Sequence, residues 1–130
     1  AALADQPVVR RNLAAARERG MGVIAKRPIA NAAWRYGDHC SNDYHRAYWE
    51  RLKQLDYGFV RADTTAAAAT ALRFTLSQPG VHTAIVGTTK PGRWRENAEH
   101  LKAGPLSAEE VEAIRKRWRE VSKGEWRAQE

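Results

Sequence analysis

The stretch Ala84-Ile85-Val86-Gly87-Thr88-Thr89-Lys90-Pro91-Gly92-Arg93-Trp94-Arg95-Glu96-Asn97 decides the reading of this 130-residue chain. Ala84, Ile85 and Val86 form a short apolar run, as expected of a strand covered on both faces. Gly87 stops it, and Thr88, Thr89 and Lys90 are polar. Pro91 suits the first position of a helix, where a missing N–H costs nothing. A strand that feeds a helix N-terminus in this way makes an anion site, because free backbone N–H groups and the positive end of the helix dipole meet at one spot. Along that helix Trp94, Ala98 and Leu101 fall at i, i+4 and i+7, which predicts a packing stripe. Arg93 and Asn97 lie four apart, with Glu96 on nearly the same side. Arg93 can hold a phosphate by two parallel bonds, and Glu96 and Asn97 can accept from and donate to the edge of a base. On spacing alone, a solvated and charged helix face is the commoner arrangement.

Upstream, Pro7 to Arg19 reads as a helix with Val9, Leu13 and Ala16 inward and Arg10, Arg11 and Arg17 in water, stopped by Gly20. Met21 to Ala25 is a short buried strand that Lys26, Arg27 and Pro28 end, since proline cannot donate into a ladder. Open α/β and barrel sheets put their ligand loops at this end of a strand. Ala30 to Asn42 reads mostly as loop, with Trp34 and Tyr36 either lining a substrate pocket or anchoring the loop to the core. Ser41 to Leu55 is a helix capped by Ser41 or Asn42, with Tyr44, Tyr48, Leu52 and Leu55 as its packing face. Tyr57-Gly58-Phe59 reads as a turn. Thr65 to Ser77 is a helix opened by Asp63, Thr64 or Thr65 and ended by Pro79-Gly80, before a second strand over Val81 to Val86. Gly104-Pro105 breaks the chain, and Ser107 with Glu110 three later is a capping box for a last helix packed through Val111, Ile114, Trp118 and Val121. Lys123 to Glu130 reads as a frayed tail.

A length of 130 residues suits one domain, 1–130, and 43% hydrophobic with 28% charged residues fits a globular protein. No apolar run approaches the roughly 20 residues of a membrane helix. The first residues lack the basic and apolar regions of a secretory signal. The single cysteine, Cys40, excludes an internal disulfide and fits a cytoplasmic setting. The net charge of +7 invites a nucleic-acid partner, but the arginines are spread and mixed with acids, as in Arg115 to Glu120, so none is expected. His39, Cys40 and His45 match no four-ligand zinc spacing, and no metal is expected.

The run Ile85 to Asn97 resembles the cofactor signature of the aldo/keto reductases. In that family the last barrel strand is followed by a loop and short helix that hold the adenosine end of NADPH. Gly87, Thr88 and Thr89 match the loop, Arg93 the residue that packs on adenine and meets the 2′-phosphate, and Glu96 and Asn97 the adenine contacts. Gly22 to Asn31 resembles the seventh strand and its cofactor loop. Ala71 to Leu76 with Val81 to Gly87 resembles the helix entering the eighth strand. The resemblance spans about Val8 to Val121. It implies an α/β fold, a partial TIM (β/α)8 barrel with two parallel strands and five to six helices, and NADP(H) as cofactor. The cofactor residues it implies are Arg27, Pro28, Ile29, Asn31, Gly87, Thr88, Thr89, Lys90, Arg93, Glu96 and Asn97.

Two departures stand out. Arg27-Pro28-Ile29 replaces the family's Ser-Pro-Leu. Gly87 stands where many members carry lysine, leaving Lys90 or Arg27 to supply that charge. The family's catalytic tyrosine, aspartate, lysine and histidine come from the earlier half of the barrel, and none of Tyr36, Tyr44, Tyr48, Tyr57 or Lys26 sits in a matching context. The resemblance thus implies the cofactor-binding portion of an enzyme acting on small carbonyls, inactive alone. Its strands would have bare edges and an uncovered barrel-facing side, prone to self-association or to docking onto the missing part of the barrel. The alternative is a structural or interaction module that kept the fold without the ligand.

Overall fold

The strands are set by two short β-prone runs that the helices bracket. The computed structural model describes residues 7–126. Helix α1 (Pro7–Glu18) precedes strand β1 (Ile24–Lys26) and a 3-10 segment (Ala30–Tyr36). Helices α2 (Asp43–Leu55), α3 (Gly58–Ala62) and α4 (Thr64–Leu76) lead to strand β2 (Thr83–Ile85), and α5 (Arg93–Leu101) and α6 (Ala108–Ser122) follow. The strands pair in parallel, Ile24 opposite Thr83, Ala25 opposite Ala84 and Lys26 opposite Ile85. The α/β arrangement with two parallel strands is the one expected from the sequence.

Local chemistry explains the helix ends. Asn42 caps α2 by accepting from Tyr44 N at 3.0 Å, and Asp63 caps α4 by accepting from Ala66 N at 2.8 Å. Ser107 and Glu110 form the reciprocal capping box of α6, at 3.1 and 2.7 Å. Gly20, with φ 62°, turns the chain out of α1 as its freedom from a Cβ allows.

Two clusters hold the molecule together. In one, Leu55, Phe74, Leu106 and Trp118 are buried with Val111, Ile114, Val121 and Trp126 against them. In the other, Tyr48 and Leu52 of α2 bury Ala30 and Ala33 of the 3-10 segment. Half-buried cations tie elements together through backbone carbonyls: Arg117 donates to Leu55 O at 2.7 Å, and Arg73 to Gly104 O at 2.8 Å.

Several expectations are corrected. The sheet is covered on one face only. Ala25 is buried, but Ile24 and Ile85 are 59% and 60% exposed. The register puts Ile24, Lys26, Thr83 and Ile85 on one face, so the apolar run has a wet side. Pro91 is not the first helical residue; α5 starts at Arg93 after Gly92, whose φ is 79°. Nor is the stripe on α5 a packing stripe: Trp94 is 65% exposed and Leu101 36%. The side toward α4 carries Arg93, Asn97 and His100, each half-buried, and Trp94 is covered by the Arg95 guanidinium, 5.1 Å from its ring. Tyr44 is exposed rather than packed. Residues 30–36 wind into a 3-10 segment, and 58–62 into a helical turn. Trp126 is docked edge-on against Trp118 at 5.1 Å, which removes the front of the expected frayed tail; 127–130 lie outside the described residues.

The contrast between two tryptophans is testable by chemical unfolding. Trp118→Ala is expected to cost about 3–5 kcal/mol, and Trp94→Ala, on the surface, within about 0.5 kcal/mol. Equal losses would contradict this packing. Burial also raises the Tyr57 phenol well above its ordinary value, with Arg117 pulling weakly back. Its hydroxyl donates to Ile114 O at 3.0 Å. The unfolded phenol ionises from about pH 10 while the folded one stays neutral, so stability falls as pH rises through that range. Tyr57→Phe is expected to be less stable at neutral pH, yet to lose stability less steeply in alkali. Parallel pH curves would refute the assignment.

Candidate functional site

The ladder ends at Lys26 and Ile85, so the segments leaving β1 and β2 run side by side, as ligand loops do at the carboxyl ends of parallel strands. Between them opens a groove of about 740 Å³. One wall is Arg27, Pro28, Ile29 and Asn31 with Ala32, Trp34 and Arg35. The other is Gly87, Thr88, Thr89 and Lys90 with Arg93 and Asn97 of α5. Thr64, Thr65 and Ala68 of α4 and His45 of α2 complete it. Ten of the eleven residues singled out in the sequence thus line one space. The exception is Glu96, which turns to Arg93 and accepts from its Nη1 at 2.6 Å.

Specific bonds fix the walls. Thr75 Oγ1, buried in α4, donates to Pro28 O at 3.4 Å. At the other end of the ladder His82 Nδ1 accepts from Val23 N, and His82 N donates to Val23 O, both at 3.0 Å. Arg27, Ala30, Asn31 and Ala32 all have positive φ, between 47° and 57°. Such backbone costs an alanine on the order of 1 kcal/mol or more. The small side chains of Ala30 and Ala33 let this coiled segment sit flat on α2.

The groove is cationic. Lys26, Arg27, Arg35, Lys90 and Arg93 line it, and among the described residues no aspartate or glutamate does. Arg27 Nη1 donates to Tyr48 Oη at 3.0 Å, Nη2 donates to Tyr44 Oη, and the guanidinium stacks 4.9 Å from the Tyr44 ring. The bond to Tyr48 is the main influence pushing the Arg27 pKa above the ordinary arginine value, against desolvation. Asn31 Nδ2 and Trp34 Nε1 are buried donors without a hydrogen-bond partner among the described residues. A groove with five cations, no carboxylate among its described residues and unused donors at its edge fits an acceptor-rich polyanion, and a dinucleotide phosphate is one.

The backbone donors differ from expectation. Lys90 N donates to Thr88 Oγ1, Arg93 N to Lys90 O and Arg95 N to Gly92 O. The turn before α5 therefore uses N–H groups that the sequence suggested were open to an anion, and side chains carry most of the anion-binding capacity. The spacing of Tyr44 and Tyr48 predicts packing residues and gives no sign of their bonds to Arg27. Twenty-one residues separate Arg27 from Tyr48, and the one local signal is the i, i+4 tyrosine pair on α2. Arg35, Lys26 and His45 were likewise not singled out for the groove.

The model of the aldo/keto reductase family matches residues 5–119. The chain belongs to the aldo/keto reductase family, whose members are oxidoreductases that generally use a nicotinamide cofactor. No curated protein and no solved structure matches it. Among the described residues no helix is long and apolar enough to cross a membrane.

The charge pattern makes a direct prediction. Inorganic pyrophosphate is expected to raise the melting temperature, and added salt to erase the rise. Glu96→Gln frees Arg93 and is expected to enlarge it. Pyrophosphate that leaves the melting temperature unchanged would show that these charges are not available to a ligand.

Proposed function

We propose that this protein is an NADP(H)-dependent aldo/keto reductase, an oxidoreductase on carbonyl and alcohol substrates, and that the chain is its cofactor-binding portion. On this reading β1 and β2 are the last two strands of a (β/α)8 barrel, and the groove takes the adenosine half of the dinucleotide. The observation that supports it is the meeting of Arg27, Asn31, Thr88, Lys90, Arg93 and Asn97 on one groove, with no carboxylate among its described lining residues.

The residues divide the work by chemistry. Arg93 leaves Glu96 to meet the 2′-phosphate and pack on adenine, and Asn97 bonds the edge of the base. Gly87, Thr88 and Thr89 let the chain pass close to the ribose. Arg27 and Lys90 supply the charge that a lysine at Gly87 would have carried. Pro28 and Ile29 shape the opposite wall, and Asn31 offers an amide donor. When bound, the reduced nicotinamide supplies a hydride for a carbonyl carbon. No residue of this chain is assigned the proton donor's part, so the chain alone is inactive, and the complete protein acts in the cytoplasm on a small carbonyl compound without nucleic acid or membrane.

Titration with NADPH tests the reading. At a tenfold excess over Kd the ligand is expected to stabilise the chain by about 1.4 kcal/mol, and Arg93→Ala to abolish the effect. A chain whose stability NADPH leaves unchanged, or an Arg93→Ala variant that responds like the parent, would contradict it.

The wet sheet face favours a second, compatible reading in which the chain is an interaction module. Ile24 and Ile85 stand exposed beside bare strand edges. Self-association is expected in gel filtration, with Ile24→Lys and Ile85→Lys together restoring a monomer; a parent chain that already elutes as a monomer would reject it.

A further inference from the structure

We propose that His45 is a proton-gated anion ligand of the groove, held in place by Tyr36, so that the groove binds its anion more tightly when the imidazole takes up a proton. The inference rests on the dinucleotide reading for the identity of the anion and adds the regulation of that same site.

His45 stands in the first turn of α2 and lines the groove together with Lys26, Arg35, Lys90 and Arg93. Its Nδ1 lies 2.8 Å from the Tyr36 hydroxyl. Its ring meets the Tyr36 ring edge-on and the Tyr44 ring at a tilt, with 5.6 Å between centroids in each case. The 3-10 segment and α2 thus fix the ring before any ligand arrives. In the neutral imidazole the Tyr36 O–H donates to Nδ1, which puts the ring proton on Nε2. In the imidazolium the phenol oxygen accepts from Nδ1–H instead. One hydroxyl serves both forms, so the ring keeps its place while its charge changes. A carboxylate in that position would favour the charged form by itself. A phenol leaves the proton to the pH and to the anion.

The surrounding groups set the sign. The 3-10 segment brings Tyr36 and Arg35, the end of β1 brings Lys26 and Arg27, and the far wall brings Lys90 and Arg93. On α2 itself Asp43 is paired with Arg46, and Tyr44 stands beside the ring. Thr64, Thr65 and Ala68 of α4 add no charge. Imidazole is the side-chain type among these that gains or loses charge between about pH 5 and 8. A proton on His45 adds a positive charge to the wall. The anion is therefore held more tightly below that range, and the gain is lost as pH rises through it. Reciprocally, a bound anion keeps the proton on His45 to higher pH.

The test uses sulfate, whose charge does not change over this pH range and which needs no base or ribose contact. The imidazole NMR signals of the chain's four histidines are followed against pH with and without sulfate. Sulfate is expected to bind roughly three- to tenfold more tightly at about pH 5.5 than at about pH 8. It is expected to move the His45 titration to higher pH by the logarithm of that factor. The exposed His39, and His82, whose Nδ1 accepts from Val23 N, are expected to stay where they are. His45→Gln is expected to bind sulfate in acid as weakly as the parent does in alkali. Tyr36→Phe keeps the ring, removes the hydroxyl and is expected to show a smaller acid gain than the parent; an unchanged gain would overturn the positioning role. A His45 titration that sulfate leaves unmoved would overturn the gate with no variant needed, and so would a His45→Gln variant with the parent's pH dependence. Oxidised NADP, compared between parent and His45→Gln at one acid pH so that its own titration cancels, separates the two readings. A chain that shows the sulfate effect but does not bind NADP would reject the dinucleotide reading and leave the gate standing. NADP bound equally by parent and variant would overturn the gate and leave that reading standing. Binding neither anion would reject both.

Discussion

A parallel ladder of three residue pairs is the constraint on which the site depends. Lys26 opposite Ile85 fixes the height at which the two strands stop, and hence the height at which two loops distant in sequence leave them. A two-stranded sheet is weak by itself, and here side chains brace it at both ends. His82 completes the pairing below, and Thr75 ties the loop after β1 to α4 above. The alanines at the centre, Ala25 and Ala84, are small enough for α4 to approach β2 closely.

The same economy shapes the charge. The chain carries 22 basic and 15 acidic residues, most of them on the surface where ion pairs contribute little. At the strand ends five cations gather on one groove whose described lining holds no aspartate or glutamate. The groove has used two ways of holding an arginine there. Arg93 is parked on a carboxylate that a stronger anion must displace, whereas Arg27 donates to the hydroxyls of Tyr44 and Tyr48.

The sequence made the fold's outline and most of the groove readable because both rest on local signals. Caps at Asn42, Asp63 and Ser107 and the breaks at Gly20 and Pro79-Gly80 are chemistry within a few residues. The motif from Gly87 to Asn97 is contiguous, so Gly87, Thr88, Thr89, Lys90, Arg93 and Asn97 reach the groove together. What failed was nonlocal. The periodicity of Trp94, Ala98 and Leu101 is a true stripe, but which side of a short helix faces inward is set by the neighbours, and α4 took the side of Arg93 and Asn97. The apolar run Ala84 to Val86 could not reveal that only one face of the sheet is covered. The grip of Tyr44 and Tyr48 on Arg27 joins a loop to a helix across a turn that coils through three consecutive left-handed residues, which Ala30 and Ala32 would not suggest by type.

The central claim is that the two strand-end loops form one polyanion site. Amide chemical shifts recorded while adenosine 2′,5′-bisphosphate is added measure this directly. Signals from 27–31 and from 87–97 are expected to move together along one binding curve. Movement of one segment alone, or of neither, would contradict it.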